Sequence, residues 1–366
     1  MRMKLLGVAI AAAFASAASA QSNVTVYGLM DTSIRYTNNE DATGASKWQM
    51  TDGVLTGTRL GFRGTEDLGG GLKALFTAET GFCGDSAATG GYCTGLSFMG
   101  RQAFVGLDGP FGKLTLGRQY TIAHEMMSSY DSMAFPNNGI VGYQGAQYTG
   151  LRFNNMVRYG YASGPVSFAY GHTFGEVTGN SKSGSSDAIN AAYSDGPLRV
   201  GGVYQVQYDV RSYFGVAAPL GVALAAPNTT KSTLWSLGGT YQFAPLKLFL
   251  GYTNYKLEAN PSGQNIQNKA VYAGFNMPVT ATSNLILSLT SDKLSSTNAP
   301  GSGSRLTSAL MYDYFLSKRT DVYAEVDYHR LKDGWMTVAT SANFATPFFG
   351  TRNSRSGLSI GLRHVF

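Results

Sequence analysis

The segment 354–366, SRSGLSIGLRHVF, alternates up to the last residue of the chain. Leu358, Ile360, Leu362, His364 and Phe366 fall on one face of an extended strand, and Arg355, Gly357, Ser359, Gly361 and Arg363 on the other. Strand side chains alternate with period two, so one face is mostly apolar and the other small or charged. Most domains end in a frayed, polar tail. An apolar face carried to the terminus has to be covered, by a protein core or by lipid.

The same rhythm fills the chain. VTVYGLMDTSIRY (24–36) places Val24, Val26, Met30, Ile34 and Tyr36 on one side. TGTRLGFRGTED (56–67) and LKALFTAETGF (72–82) flank a glycine turn and read as a hairpin. Further pairs meet near 108–112, 163–165, 195–197, 244–246, 278–283 and 317–320, and the terminal strand stands alone to pair with the first. The reading is sixteen strands. Between these short connections lie longer, polar ones at 37–55, 83–98, 121–154, 176–186, 210–230, 259–267, 294–304 and 333–353. Short turns on one side and long loops on the other are the signature of an outer-membrane barrel. An even strand number lets the terminal strands meet and leaves no edge. A soluble β-sandwich also alternates, but does not explain the loop lengths or the sealed end.

Arg2 and Lys4 precede an apolar run ending in Ala18-Ser19-Ala20, the pattern of a signal peptide. Residues 1–20 are therefore expected to be removed, leaving 21–366 as one barrel domain. No later run reaches eighteen apolar residues, which excludes helical spans. The chain holds 46 Gly, 22 Tyr and 20 Phe, a composition suited to many short strands. Removing Arg2 and Lys4 lowers the net charge from +6 to +4, too little to argue for nucleic acid. Cys83 and Cys93 flank a polar loop in an exported chain and are expected to form a local disulfide.

The segments VTVYGLMDTSIRY, RLGFRGTEDLGGGLKALFTAETGF, RQAFVGLDGPFGKLTLGRQY and SRSGLSIGLRHVF resemble the general porins of β-proteobacterial outer membranes. The resemblance implies a sixteen-stranded antiparallel transmembrane β-barrel, trimeric, with a long third loop folded into the lumen. It also implies that Phe366 belongs to a signal read by the barrel-assembly machinery, and that the loop held by the cysteines lies at the trimer contact.

Parity and resemblance together give the candidate site. Loop 121–154 is the longest connection and follows the fifth strand, where the family carries its constriction loop; Glu125 and Asp131 are expected to point from it into the pore. Arg59 and Arg63 alternate against Leu60 and Phe62, and Arg158 against Val157 and Tyr159, so all three should face the lumen. By resemblance Arg59, Arg101 and Arg158 match the basic wall opposite the loop. Parity places Arg101 with Val105 and Leu107 unless a bulge resets the pattern. Arg35, Glu325, Asp327 and Arg363 are further wall candidates, and Arg118 shares parity with Leu114 and Leu116.

Such a wall predicts passive diffusion of ions and small hydrophilic solutes with mild anion preference. A substrate-selective channel with a saturable site and a surface adhesin with a blocked lumen are the alternatives. Membrane lipid and lipopolysaccharide are expected neighbours. His124, His172, His329 and His364 lack metal-ligand spacing, and His124-Glu125 lacks the H-E-x-x-H continuation, so neither catalysis nor a cofactor or metal is expected.

Overall fold

The computed structural model describes residues 23–41, 43–87, 98–136, 148–209, 230–259, 265–297, 301–336 and 352–366. The expected signal peptide and Cys93 lie outside the described residues, as do all of loop 210–230 but Thr230 and most of loops 83–98 and 333–353. The leading elements are β1 (Asn23–Thr37), β2 (Lys47–Asp52), β3 (Arg59–Gly69), β4 (Leu72–Gly81), β5 (Gln102–Gly109) and β6 (Gly112–Tyr120). Helix α1 (Ile122–Ser128) follows, then β7 (Arg152–Ser163), β8 (Val166–Thr173), β9 (Ser186–Asp195), β10 (Leu198–Tyr208) and β11 (Thr230–Phe243). The chain finishes with β12 (Leu246–Ala259), β13 (Asn265–Thr280), β14 (Ser283–Ser296), β15 (Gly303–Phe315), β16 (Thr320–Asp333) and β17 (Ser354–Val365).

Every neighbouring pair is antiparallel, and β1 pairs with β17 from Leu29↔Val365 to Thr37↔Gly357, which closes the sheet. Closure leaves no ladder of unpaired backbone groups to meet hydrocarbon. The seventeen strands make sixteen staves, because β2 and β3 share one position beside β1: Thr32–Thr37 of β1 pair with β2 and Asn23–Leu29 with β3. Strand β2 lies inside the segment 37–55 that sequence assigns to a loop. Its pattern, KWQMTD, is too short to stand out, and β1 supplies the ladder that fixes it.

The alternation sorts the side chains by solvent. On β1, Met30 and Ile34 are exposed outward, whereas Asp31, Ser33, Arg35 and Thr37 are buried inward. The same split runs through β12–β17, where Leu250, Leu310, Val326 and Ile360 face out and Thr253, Arg305, Asp327 and Ser359 face in. An apolar exterior around a polar interior is the reverse of a soluble barrel and fits lipid outside. Tyr161, Tyr312, Tyr314 and Phe366 are exposed on this exterior near the short-turn ends of their strands, where amphipathic rings favour the membrane interface.

Candidate lumenal constriction

Helix α1 begins where β6 ends. Thr121 caps it, its hydroxyl accepting from the His124 amide at 3.0 Å, and Glu125 occupies the first turn. Ile122, Ala123, Met126 and Met127 form its buried face and pack against the inward sides of β8–β11. Beyond the helix, the Tyr130 ring lies over the notch formed by Gly238 and Gly251, with its hydroxyl 2.5 Å from Ser236 Oγ. A Cβ at Gly238 would sit 2.5 Å from that ring, so only glycine admits it. The Ser132 hydroxyl donates to the Leu287 carbonyl at 2.6 Å, and Met133 packs with Ile286, Met311 and Tyr323. The chain from 121 to 135 thus runs along the inner wall from β6 past β14.

This path separates the two acidic candidates. Glu125 is partly exposed and accepts from the Arg158 guanidinium at 2.5 Å. Asp131 does not point into open water: it is buried, and accepts the Met133 amide at 2.8 Å as well as the amides of Ala134 and Phe135. Burial pushes its carboxyl up to about 6, against the pull of those three donors. The expectation for Asp131 is corrected: Ala134 and Phe135 adopt left-handed backbone, and the carboxylate is spent on holding that turn.

The basic candidates converge on a second group. Arg101 Nε donates to Glu79 Oε1 at 2.7 Å and its Nη2 to the Tyr120 hydroxyl at 2.9 Å. Tyr27 donates to the other Glu79 oxygen at 3.0 Å. Arg152 donates to the same Tyr120 hydroxyl and lies over its ring at 4.1 Å. Arg59 stands within electrostatic range of Arg101, Arg152 and Glu79. The parity conflict at Arg101 resolves locally. Arg101 precedes β5 and follows Met99 in left-handed backbone, so the β5 alternation does not reach it and its stem lies over Gly81. Arg63 sits farther down β3, its guanidinium 5.0 Å from the Tyr27 ring. Arg118 donates instead to the Gly100 carbonyl and to Asn154 Oδ1.

His124 stacks on Tyr120 with centroids 5.0 Å apart and planes 9° off parallel. Burial, with Arg152 and Arg101 beside it, holds its imidazole well below the ordinary range, so it is neutral at pH 7. Below Glu125 and Arg158 opens a cavity of about 630 Å³, lined also by Lys113, Arg199 and Asp108.

Of the remaining wall candidates, Arg35, Glu325 and Asp327 are buried inward, whereas Arg363 is partly exposed. Arg35 pairs with Asp327 at 2.7 Å and Glu325 at 3.9 Å, and donates to Ser359 at 2.7 Å, with all three charged groups nearly solvent-free. Arg363 is held by Asp321 at 2.5 Å. Beside Arg363, which donates to the Thr56 hydroxyl at 3.0 Å, the segment 53–58 turns inward: Val54 packs with Met133 and Tyr323, and Tyr323 bridges Asp31 at 2.7 Å and the Val54 amide at 3.1 Å. The expectation of a water-lining role for Arg35, Glu325 and Asp327 is corrected by this burial. Cys83 is buried and disulfide-bonded.

Sequence reasoning missed Glu79, Tyr120, Arg152 and His124. Glu79 was within reach, since it pairs with Gly61 between the inward Arg59 and Arg63. Tyr120 was not, because a register shift between Gly117 and Gln119 breaks the alternation at the end of β6, and Arg152 fell within the segment 121–154 read as a loop.

A closed antiparallel barrel with an apolar exterior, a polar interior and a chain segment packed along its inner wall defines the class of outer-membrane diffusion channels. The profile of the Gram-negative porins matches residues 7–334, and the chain belongs to that family. Its sequence is 30% identical to outer membrane porin protein 32 of Delftia acidovorans over the whole of both chains. It is also 30% identical to an outer membrane porin protein of Bordetella pertussis, again over both full lengths. Among solved structures, the anion-selective porin from Comamonas acidovorans aligns with a TM-score of 0.73 at 26% identity, covering 94% of this chain and 100% of that one. The protein is a passive diffusion channel of the outer membrane.

Proposed function

We propose that ions and small hydrophilic solutes cross between helix α1 and the basic wall of β3–β7, with a mild preference for anions. One observation carries this: Arg59 and Arg101 flank a single carboxylate, Glu79, Arg152 meets Arg101 at the Tyr120 hydroxyl, and Arg158 faces Glu125. The cluster leaves a surplus of positive charge where the loop narrows the passage. In a narrow, partly desolvated channel such a surplus raises the local anion concentration. The pairing of Glu125 with Arg158 keeps the preference modest. The anion-selective relative supports the sign of the preference.

By the same reading, residues 1–20 are a signal peptide cut before Gln21, Cys83 is bonded to Cys93, and the channel works as a homotrimer. Phe366 then serves the assembly machinery, and lipopolysaccharide surrounds the outer rim. Purified protein in a planar bilayer tests the pore reading. The expected result is conductance steps linear in salt, often in threes, with a reversal potential on the anion side. A cation-side reversal potential would refute the selectivity; saturation by one solute would favour a dedicated binding site; correctly folded protein without conductance would favour a blocked surface barrel.

A further inference from the structure

Tyr120 is the last residue of β6, where the chain leaves the wall for the lumenal segment. Charged groups reach it from every side. Arg59 of β3, Glu79 of β4, Arg101 just before β5 and Arg152 at the start of β7 all stand within electrostatic range of its hydroxyl. His124 of α1 stacks on the ring and is itself neutral at pH 7. Arg101 Nη2 donates to the phenol oxygen at 2.9 Å, and Arg152 donates to the same oxygen.

The hydrogen bonds at this oxygen do not close for a neutral phenol. A phenol oxygen carries two acceptor positions and one proton, and a guanidinium only donates. Arg101 and Arg152 therefore occupy both acceptor positions, and neither can take the proton. The neighbouring carboxylate is engaged elsewhere: Glu79 Oε1 accepts from Arg101 and Oε2 from Tyr27. Among the described residues the Tyr120 proton meets no acceptor. A phenolate removes the misfit, because its oxygen has no proton to place and accepts both guanidinium bonds as charge-assisted ones.

We propose that Tyr120 is the titrating charge of the basic wall: on giving its proton to hydroxide from the bathing solution it halves the positive surplus around it, and the anion preference of the channel falls. The three guanidiniums against Glu79 leave two positive charges about Tyr120, and a phenolate leaves one. The proposal rests on the reading that solutes pass along this wall, and it names the residue through which pH would set the strength of the preference.

The test reads ionisation and permeation separately, on the folded, full-length channel in detergent and in planar bilayers. Between about pH 7 and 9, where a tyrosine in water stays protonated, wild type is expected to gain one tyrosinate in its near-ultraviolet difference spectrum, and Tyr120→Phe to lack it. Over the same interval the anion-to-cation permeability ratio of wild type is expected to fall roughly two-fold, and that of Tyr120→Phe to stay level. Arg152→Gln withdraws one donor and is expected to delay the tyrosinate signal to more alkaline solution. A wild-type spectrum without the extra tyrosinate overturns the proposal, whether or not the phenylalanine variant folds. A signal that persists in Tyr120→Phe also overturns it, as does a wild-type ratio that stays level or a ratio that falls equally in both channels. Wild type that shows the Tyr120 signal but passes no current upholds the charge at Tyr120 and refutes the pore reading instead.

Discussion

Arg158 and Asp131, one on the barrel wall and one in the segment after α1, are predicted to respond differently to substitution. Arg158 is partly exposed, and its pair with Glu125 is of the kind that adds little to stability. Arg158→Ala should therefore leave the barrel folded and reduce the anion-to-cation permeability ratio roughly two-fold; the reversal potential in a salt gradient measures it, and an unchanged value counts against the role of Arg158. Asp131→Asn should leave that potential unchanged, since the carboxylate is turned into its own loop. The two titrating groups of the loop act with opposite sign. Asp131 is raised from 3.8 to about 6 on folding, so the stability it lends is full below pH 3.8 and lost as pH rises through about 6. His124 is lowered from 6.5, so its contribution is full above that value and lost as pH falls. In the Asp131→Asn channel, acidification from pH 7.5 to 5 should then increase brief closures or openings in single-channel records. In His124→Gln it should decrease them.

Helix α1 and the turn after it depend on the wall more than on their own propensity, because a seven-residue helix is too short to stand alone. The anchor is Tyr130, whose ring fills the notch over Gly238 and Gly251. Tyr130→Phe removes the hydrogen bond to Ser236, which still meets Thr253 at 2.7 Å, and should cost about 1 kcal/mol. Tyr130→Ala vacates the notch and should cost about 3 to 5 kcal/mol of local stability. Its expected signature is a larger, noisier conductance from a barrel whose melting is little changed. The helix was only partly legible in advance. The length of 121–154 and its Met, Tyr and Phe residues mark a loop with something to bury, yet the partner glycines lie over a hundred positions downstream. The inward turn of 53–58 had no such signal, since Val54 becomes a packing residue only when Met133 arrives from the other loop.

At the scale of the whole barrel, closure depends on the last residue. Phe366 exchanges both backbone hydrogen bonds with Gly28, at 3.1 and 3.0 Å, and its ring lies across that glycine on the outer face. A Cβ on Gly28 would come within 2.6 Å of the ring and 2.5 Å of the Arg59 carbonyl. Deleting Phe366, or Gly28→Val, should lower the yield of inserted barrel and its heat resistance on gel electrophoresis; in channels that do form, selectivity should be unaltered. The strand rhythm, the sixteen staves, the apolar exterior and the sealed terminus were readable from the chain alone, because a two-residue period and the hydrogen-bond demands of lipid leave one closed solution. The same period set Arg59 and Arg158 on the face opposite Leu60 and Tyr159. Tertiary structure alone decided that Arg101 reaches Glu79, that Arg152 and Tyr120 join it, that Asp131 turns away, and that Arg35, Glu325 and Asp327 are covered. Each of these turns on a bulge, a left-handed residue or a loop folded back inside, where alternation stops carrying information and contacts between distant segments set the geometry.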